Sequence, residues 1–360
     1  MRTTTIAALV AAVMLAGCGG GGTSSSSPSI PSNNNGNTGT QSTLSTTDVV
    51  QSSTDAAFEP IDTSESDAAL GNGSLGASSH SRSTQSMPHG CRNRTTRTVT
   101  VNSDGSVTVE TIRYFDTACT QPERDAVATF ASSGGTATVA RTVTTFNQAH
   151  LQLGVRKSNY ALTGSTGNGS WTITSAFYPG TATTPLSQYG HAASLNASTY
   201  TATTGRIVND AKPSINASYG WQAAANATVS TDANNNTTFT GTRNGTASKG
   251  ALDGLTLSSA PPFTVSGGTT LGTSSLNGTI VFDADGNLSS VTINGTLVSG
   301  NTLAVTSSTD ANGNVTVNGT ITSPTGTQVA TFTTDASGDG ILTLANGTQV
   351  PIVDWHVVWA

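Results

Sequence analysis

The chain has 360 residues, a formal net charge of −6 and only 9% charged residues, against about 25% in ordinary soluble domains. No strongly basic stripe is present, which speaks against nucleic acid as a partner, and the small net charge speaks against disorder throughout. The length suits one large or two modest domains, and the abundance of Thr, with Gly and Asn for turns, points to a thin-cored β protein with polar, uncharged faces.

Residues 1–17 form a signal segment. Arg2 is the only charge before Asp48, and residues 6–15 are an apolar run too short to span a bilayer as a helix. A basic start, a short apolar core and small residues after it mark a secretory signal. Its end, Leu15-Ala16-Gly17-Cys18, resembles the lipobox of bacterial lipoproteins. The resemblance covers only these first 18 residues. It implies a diacylglycerol on the Cys18 thiol, cleavage before Cys18, and acylation of the new amine. Several acyl chains hold a protein on a membrane far better than one. In lipoproteins of Gram-negative bacteria an Asp after the cysteine favours the inner membrane. Gly19 stands there, which implies the outer membrane.

Residues 18–89 read as a tether, first Gly/Ser/Thr/Asn-rich and then acidic. No charge occurs in 19–47, and such a segment spans about 30 Å as a flexible coil. Asp48, Asp55, Glu59, Asp62, Glu65 and Asp67 follow without a basic residue. The expectation for 48–89 is disorder with at most a turn or two of helix. Its acids are expected to be solvated rather than folded onto Arg82, Arg92, Arg94 and Arg97.

Residues 90–250 form a β-rich region. Val99, Val101, Val107 and Val109 alternate around Asp104-Gly105, a hairpin signal. With Cys18 lipidated, Cys91 and Cys119 remain, and an exported protein meets an oxidising compartment where they can pair. A three-residue loop at Asp104-Gly105-Ser106 places them opposite each other; a two-residue loop misses by one position. The bridge would close a loop of about 28 residues, worth on the order of 3 kcal/mol. Thr120 and Glu123 have capping-box spacing, so one helical turn is expected there. Strands are expected at 126–131, 136–146, 158–164 and 170–178, a long loop at 179–198, and weaker strands at 199–208, 215–224 and 237–243. Residues 249–262 look irregular.

Residues 251–360 read as a β-meander, continuous with the preceding region or separate from it. Asn-Gly-Thr recurs after Leu276, Ile293 and Val317. A turn at each Asn-Gly would mix polar and apolar faces. A straight strand keeps Val291, Ile293 and Leu297 on one side, because alternate residues share a face. The turns are then the loops beginning at Asp283, Asp310 and Asp335. Gly278, Gly295 and Gly319 fall on the apolar side, which implies a strongly curved sheet or one that receives bulky side chains. Val353, Trp355, Val357 and Trp359 alternate as a last strand, so Trp355 or Trp359 is expected to cover one or more of those glycines. His356 then faces water.

Chemical motifs are sparse. His80, His89, His150, His191 and His356 form no metal pattern, and no nucleophile elbow or S-x-x-K appears. The Asp-rich loops resemble the start of a calcium loop but lack its closing Glu; Asp or Asn capping a turn is the preferred reading. No catalytic, metal or cofactor residue is assigned. The fold class is mainly β: antiparallel hairpins and a meander forming a curved sheet or barrel behind a disordered tether. The leading expectation is a lipid-anchored cell-envelope protein, not an enzyme, that binds, adheres or supports structure. Its partners are the membrane, through Cys18, and a protein or glycan. A carrier of a small apolar ligand is the second reading, and a hydrolase of envelope polymers the third.

Overall fold

The structure is a computed structural model that describes residues 44–71, 94–133, 135–165, 168–209, 217–251, 254–284, 286–311 and 313–359, with the side chains of 65–71 and 165 excepted. A single α-helix among these, α1 (Thr46–Gly71), precedes the strands. The first ten are β1 (Thr95–Val101), β2 (Val107–Tyr114), β3 (Pro122–Ser133), β4 (Thr136–Phe146), β5 (Gln152–Ser165), β6 (Asn168–Pro179), β7 (Ser187–Asn196), β8 (Thr199–Val208), β9 (Ala217–Thr231) and β10 (Thr237–Ala251). A two-stranded excursion, β11 (Thr256–Leu257) and β12 (Val265–Ser266), interrupts the series. The meander resumes with β13 (Thr269–Phe282), β14 (Leu288–Thr296), β15 (Thr302–Thr309), β16 (Val315–Thr322), β17 (Gln328–Asp335), β18 (Gly340–Leu344), β19 (Gln349–Val353) and β20 (His356–Val357). From β1 to β10 and from β13 to β20 each strand pairs antiparallel with the next, and β10 pairs with β13 from Thr237↔Phe282 to Lys249↔Thr269. One eighteen-stranded sheet therefore runs across the 250/251 boundary.

The sheet curls around α1. Val50, Ala57, Phe58 and Ile61 on the helix are at most 1% exposed, and Asp48, Asp55, Glu59 and Asp62 are buried as well. A surface helix would bury one stripe; burial all round means the sheet covers every side. The helix corrects the expectation of disorder over 48–71. Ser45 starts it: its hydroxyl accepts from the Asp48 amide (3.1 Å) while the Asp48 carboxylate accepts from the Ser45 amide (3.1 Å), a reciprocal cap. Ser52, Thr54 and Thr63 donate back to carbonyls four residues earlier, at 2.7, 3.0 and 2.7 Å, which satisfies hydroxyls that the sheet cuts off from water. The apolar stripe of Phe58 and Ile61 joins the core of the C-terminal strands, where Phe58 meets Phe332 edge-on at 4.9 Å and Trp355 at 5.6 Å.

The Asn-Gly-Thr triplets lie inside β13, β14 and β16, and the turns fall at Asp283, Asp310 and Asp335. The three glycines are covered, but not by the terminal tryptophans. Phe332, the cross-strand partner of Gly319, lies on it, while Ile293 and Leu276 cover Gly278 and Gly295. Trp355 instead covers Gly338. The reason is a break in the expected last strand. Asp354 and Trp355 take positive φ (51° and 62°) and form a two-residue hairpin turn, with Val353 pairing His356. Two further expectations fail. Residues 187–196 are strand β7, not loop, and no helical turn forms at 120–123, where β3 already begins at Pro122.

The β11–β12 excursion packs on the outside. Phe263, Leu257 and Val265 lie against Gly190, Gly205 and Gly220, outward residues of β7, β8 and β9. A side chain on any of these would occupy the space the hairpin fills.

Candidate functional site

The inner face holds the charges. Four of the acids of α1, at 48, 55, 59 and 62, recur at helical spacing on one side, and four inward cations from β5, β8 and β10 meet them. Lys249 Nζ lies 2.8 Å from Asp48 Oδ1, Arg206 Nε 3.9 Å from Asp55 Oδ1, and Arg243 Nη1 3.1 Å from Glu59 Oε2; Arg156 Nη1 pairs with Asp62. Arg156 also donates to the Asp354 carboxylate (2.6 Å) and carbonyl (2.8 Å), and Arg243 to the Thr63 hydroxyl (3.0 Å). Burial pushes the Asp55 and Asp62 carboxyls up, opposed by Arg206 and Arg156. Burial also raises Asp48, but bonds from Lys249, Tyr219 and Ser45 carry it below its ordinary value.

A second group of charges fastens the curl where β1–β3 meet the C-terminal turns. Arg94 donates to Asn314 (3.3 Å), Arg113 lies 3.5 Å from Asp335, and Arg124 lies 3.3 Å from Asp354. Asp339, whose Oδ1 accepts from the Asp354 amide (2.7 Å), is pushed up to about 7 by burial and by Asp335. His356, expected to face water, is 2% exposed. The turn at Asp354-Trp355 puts it inside, stacked on Phe177 at 4.2 Å, with Nδ1 2.6 Å from the Asp354 carbonyl. Burial holds its pKa well below the ordinary value, and Arg206 and Arg156 add to that. The acidic tract thus folds against the arginines of β5, β8 and β10; of the arginines named from the sequence, Arg82 and Arg92 lie outside the described residues. Isolated arginines at the inward parity of Thr- and Gly-rich strands were the sequence signal for this.

The outer face is the inverse. Along the register, Thr228, Thr240, Thr279, Thr292, Thr306, Asn318 and Thr333 stand side by side on β9, β10 and β13–β17. The next row holds Asn226, Thr242, Asn277, Asn294, Ala304, Thr320 and Thr331. Neighbours bond along the rows: Thr240 Oγ1 to Thr279 Oγ1 at 3.2 Å, and Thr333 Oγ1 to Asn318 Oδ1 at 3.0 Å. On the strands from β6 to β19, the outward positions carry no Lys, Arg, His, Asp or Glu apart from Asp335 at the end of β17. Outward charges reappear on β2, β3 and β5, at Glu110, Asp125 and Lys157.

The sequence-derived site residues divide. Cys18 and Cys91 lie outside the described residues. Cys119 sits at φ 55° in the turn closed by the Phe115 amide on the Gln121 carbonyl (2.9 Å). The hairpin loop before it is Ser103-Asp104-Gly105, not Asp104-Gly105-Ser106, because Asn102 pairs with Ser106. In the Asp-rich loops, Asp283 and Asp310 accept from the amides of Asn287 (2.8 Å) and Asn314 (2.9 Å), and Asp335 from that of Ser337 (2.8 Å). The aspartates cap the turns. Among the described residues no three His, Cys, Asp or Glu side chains are grouped to hold a metal, and no helix is long and apolar enough to cross a membrane.

Fold and surfaces together define a class: an antiparallel β-meander rolled around its own acidic helix, with charge inside and neutral polar rows outside. No protein-family model matches the chain, and no curated protein matches it either.

Proposed function

We propose that this is a lipid-anchored protein of the cell envelope, held at the outer membrane through Cys18, that acts by binding or adhesion through its outer polar face rather than by catalysis. The observation that carries the reading is the filled interior beneath an uncovered Thr/Asn surface. A carrier of an apolar ligand needs an apolar cavity of a few hundred Å³, whereas α1 occupies the lumen and leaves a hollow of about 50 Å³ beside Pro60, and the hollow of about 360 Å³ at Asn244, Thr246, Thr273, Ser275 and Thr296 is lined by polar side chains. The carboxylates of Asp48, Asp55, Glu59 and Asp62 are engaged by cations that hold the helix. Cys91 and Cys119 close the first hairpin with a disulfide, the pairing open in an oxidising compartment to the two cysteines that remain once Cys18 is lipidated.

Replacing Cys18 with Ser tests the anchor. The variant is expected in the soluble fraction of disrupted cells, and continued sedimentation with membranes rejects the anchor. Binding of the purified mature chain to isolated envelopes, measured by co-sedimentation, tests the adhesive role.

A further inference from the structure

We infer that the outer face from β6 to β19 binds a neutral, hydroxyl-rich polysaccharide; this rests on the adhesive reading above and names its partner class. The argument is from charge. The sheet turns Arg156, Arg206, Arg243 and Lys249 inward onto the acids of α1, and the same sheet that shows Glu110, Asp125 and Lys157 on β2–β5 shows only Asp335 outward on β6–β19. Composition alone would have scattered charge over both sectors.

Each other macromolecule asks for something this face lacks. A nucleic acid or an anionic glycan is bound by cations paired to its charges. A membrane surface is bound by basic and apolar side chains. A stable protein interface is organised around buried aromatic or apolar anchors, and the large exposed hydrophobics are Val99, Val101, Leu151 and Ile341, of which only Ile341 lies in this sector. A neutral polysaccharide brings no ion to desolvate. Its hydroxyls can exchange hydrogen bonds with exposed Thr240 and with exposed Thr292, Thr306, Asn318 and Thr333, the last four set one strand spacing of about 4.8 Å apart across the sheet. Each contact is weak, and repetition along the polymer multiplies them. Binding of this kind is indifferent to salt, because no counterions are released.

The test uses the full mature chain in affinity electrophoresis through dextran and mannan, and in pull-down on microcrystalline cellulose, with alginate as the anionic comparison, at low and at high salt. Retention by at least one neutral polymer, unchanged by salt, is expected, with none by alginate. Thr240→Lys, Thr292→Lys and Asn318→Lys together, on alternate strands of one row, should weaken retention tenfold or more without lowering Tm. Thr98→Lys with Asn159→Lys, outside the sector, should leave it unchanged. Failure to bind any neutral polymer, salt-sensitive binding to alginate, or equal binding by the two variants overturns the inference. If envelopes still bind the protein but protease treatment of the envelopes abolishes it, the adhesive reading survives and the polysaccharide does not.

Discussion

At the scale of single residues, the sheet is shaped by places where a side chain is absent so that a neighbour can lie flat. A Cβ built on Gly319 would fall 2.1 Å from the Phe332 ring, which is itself pinned by Phe58. Gly319→Val is therefore expected to destabilise by about 1–3 kcal/mol through overpacking, read from the urea midpoint. Phe332→Leu in the same chain should recover part of the loss; purely additive effects would mean the ring is not what the new side chain meets. Asp339 gives a pH-dependent case. Its carboxyl titrates near 7 in the folded chain, against a reference of 3.8, driven by burial and then by Asp335. The folded state thus holds the proton more tightly, so the associated stability is complete below about pH 4 and is lost as pH rises through 7. Asp339→Asn keeps an acceptor for the Asp354 amide and removes the titration. Wild type should lose more stability than the variant between pH 4 and 8 in denaturant melts; parallel curves would refute the raised carboxyl.

At the scale of elements, buried ion pairs decide where α1 sits and explain why the sequence showed the strands but hid the helix. Strands β4 and β8 were legible to the residue because Val139 and Val143, or Thr204 and Val208, alternate with polar neighbours on a surface that is half buried. Strand β7 was not, since Gly190, Ala192 and Ala193 carry little β signal, and their place is set by Phe263 and the neighbouring strands. The helix was illegible for a stronger reason. Ser-, Thr- and Asp-rich residues 46–71 have few apolar side chains to show a period, and their acids acquire meaning only beside Arg156, Arg206 and Arg243, which lie far along the chain. Removing one partner of such a pair strands a buried charge, at about 3–5 kcal/mol, while replacing both by apolar groups is often neutral or stabilising. Arg243→Leu, which leaves the Glu59 carboxylate without its cation, should therefore cost several kcal/mol in guanidinium melts. Glu59→Leu with Arg243→Leu should return most of it; a double variant as weak as the single one would show that the pair is not what places the helix.

At the scale of the whole molecule, helix and sheet cannot be stable apart. A polar helix of this length, with Pro60 inside it, is marginal in water because most helical stability comes from packing. The sheet without it would expose inward arginines, Phe332 and Trp355 to a hollow lumen. Such mutual dependence implies one cooperative unit built largely from contacts distant in sequence, α1 to β20 being the longest. Native-state hydrogen exchange distinguishes this from a plug that slips in and out. In a cooperative unit the amides of residues 56–62 exchange only with the slowest strand amides, with the same free energy and the same denaturant dependence. A plug would release them at lower free energy with a shallow denaturant slope, while β13–β17 stayed protected. The first pattern is expected, because withdrawing α1 would break the ion pairs of Asp48, Asp55, Glu59 and Asp62 together and uncover Phe58 and Ile61 in the same step. No part of the helix can leave without most of that cost, so the outer face keeps its curvature and its rows keep their register for as long as the chain is folded.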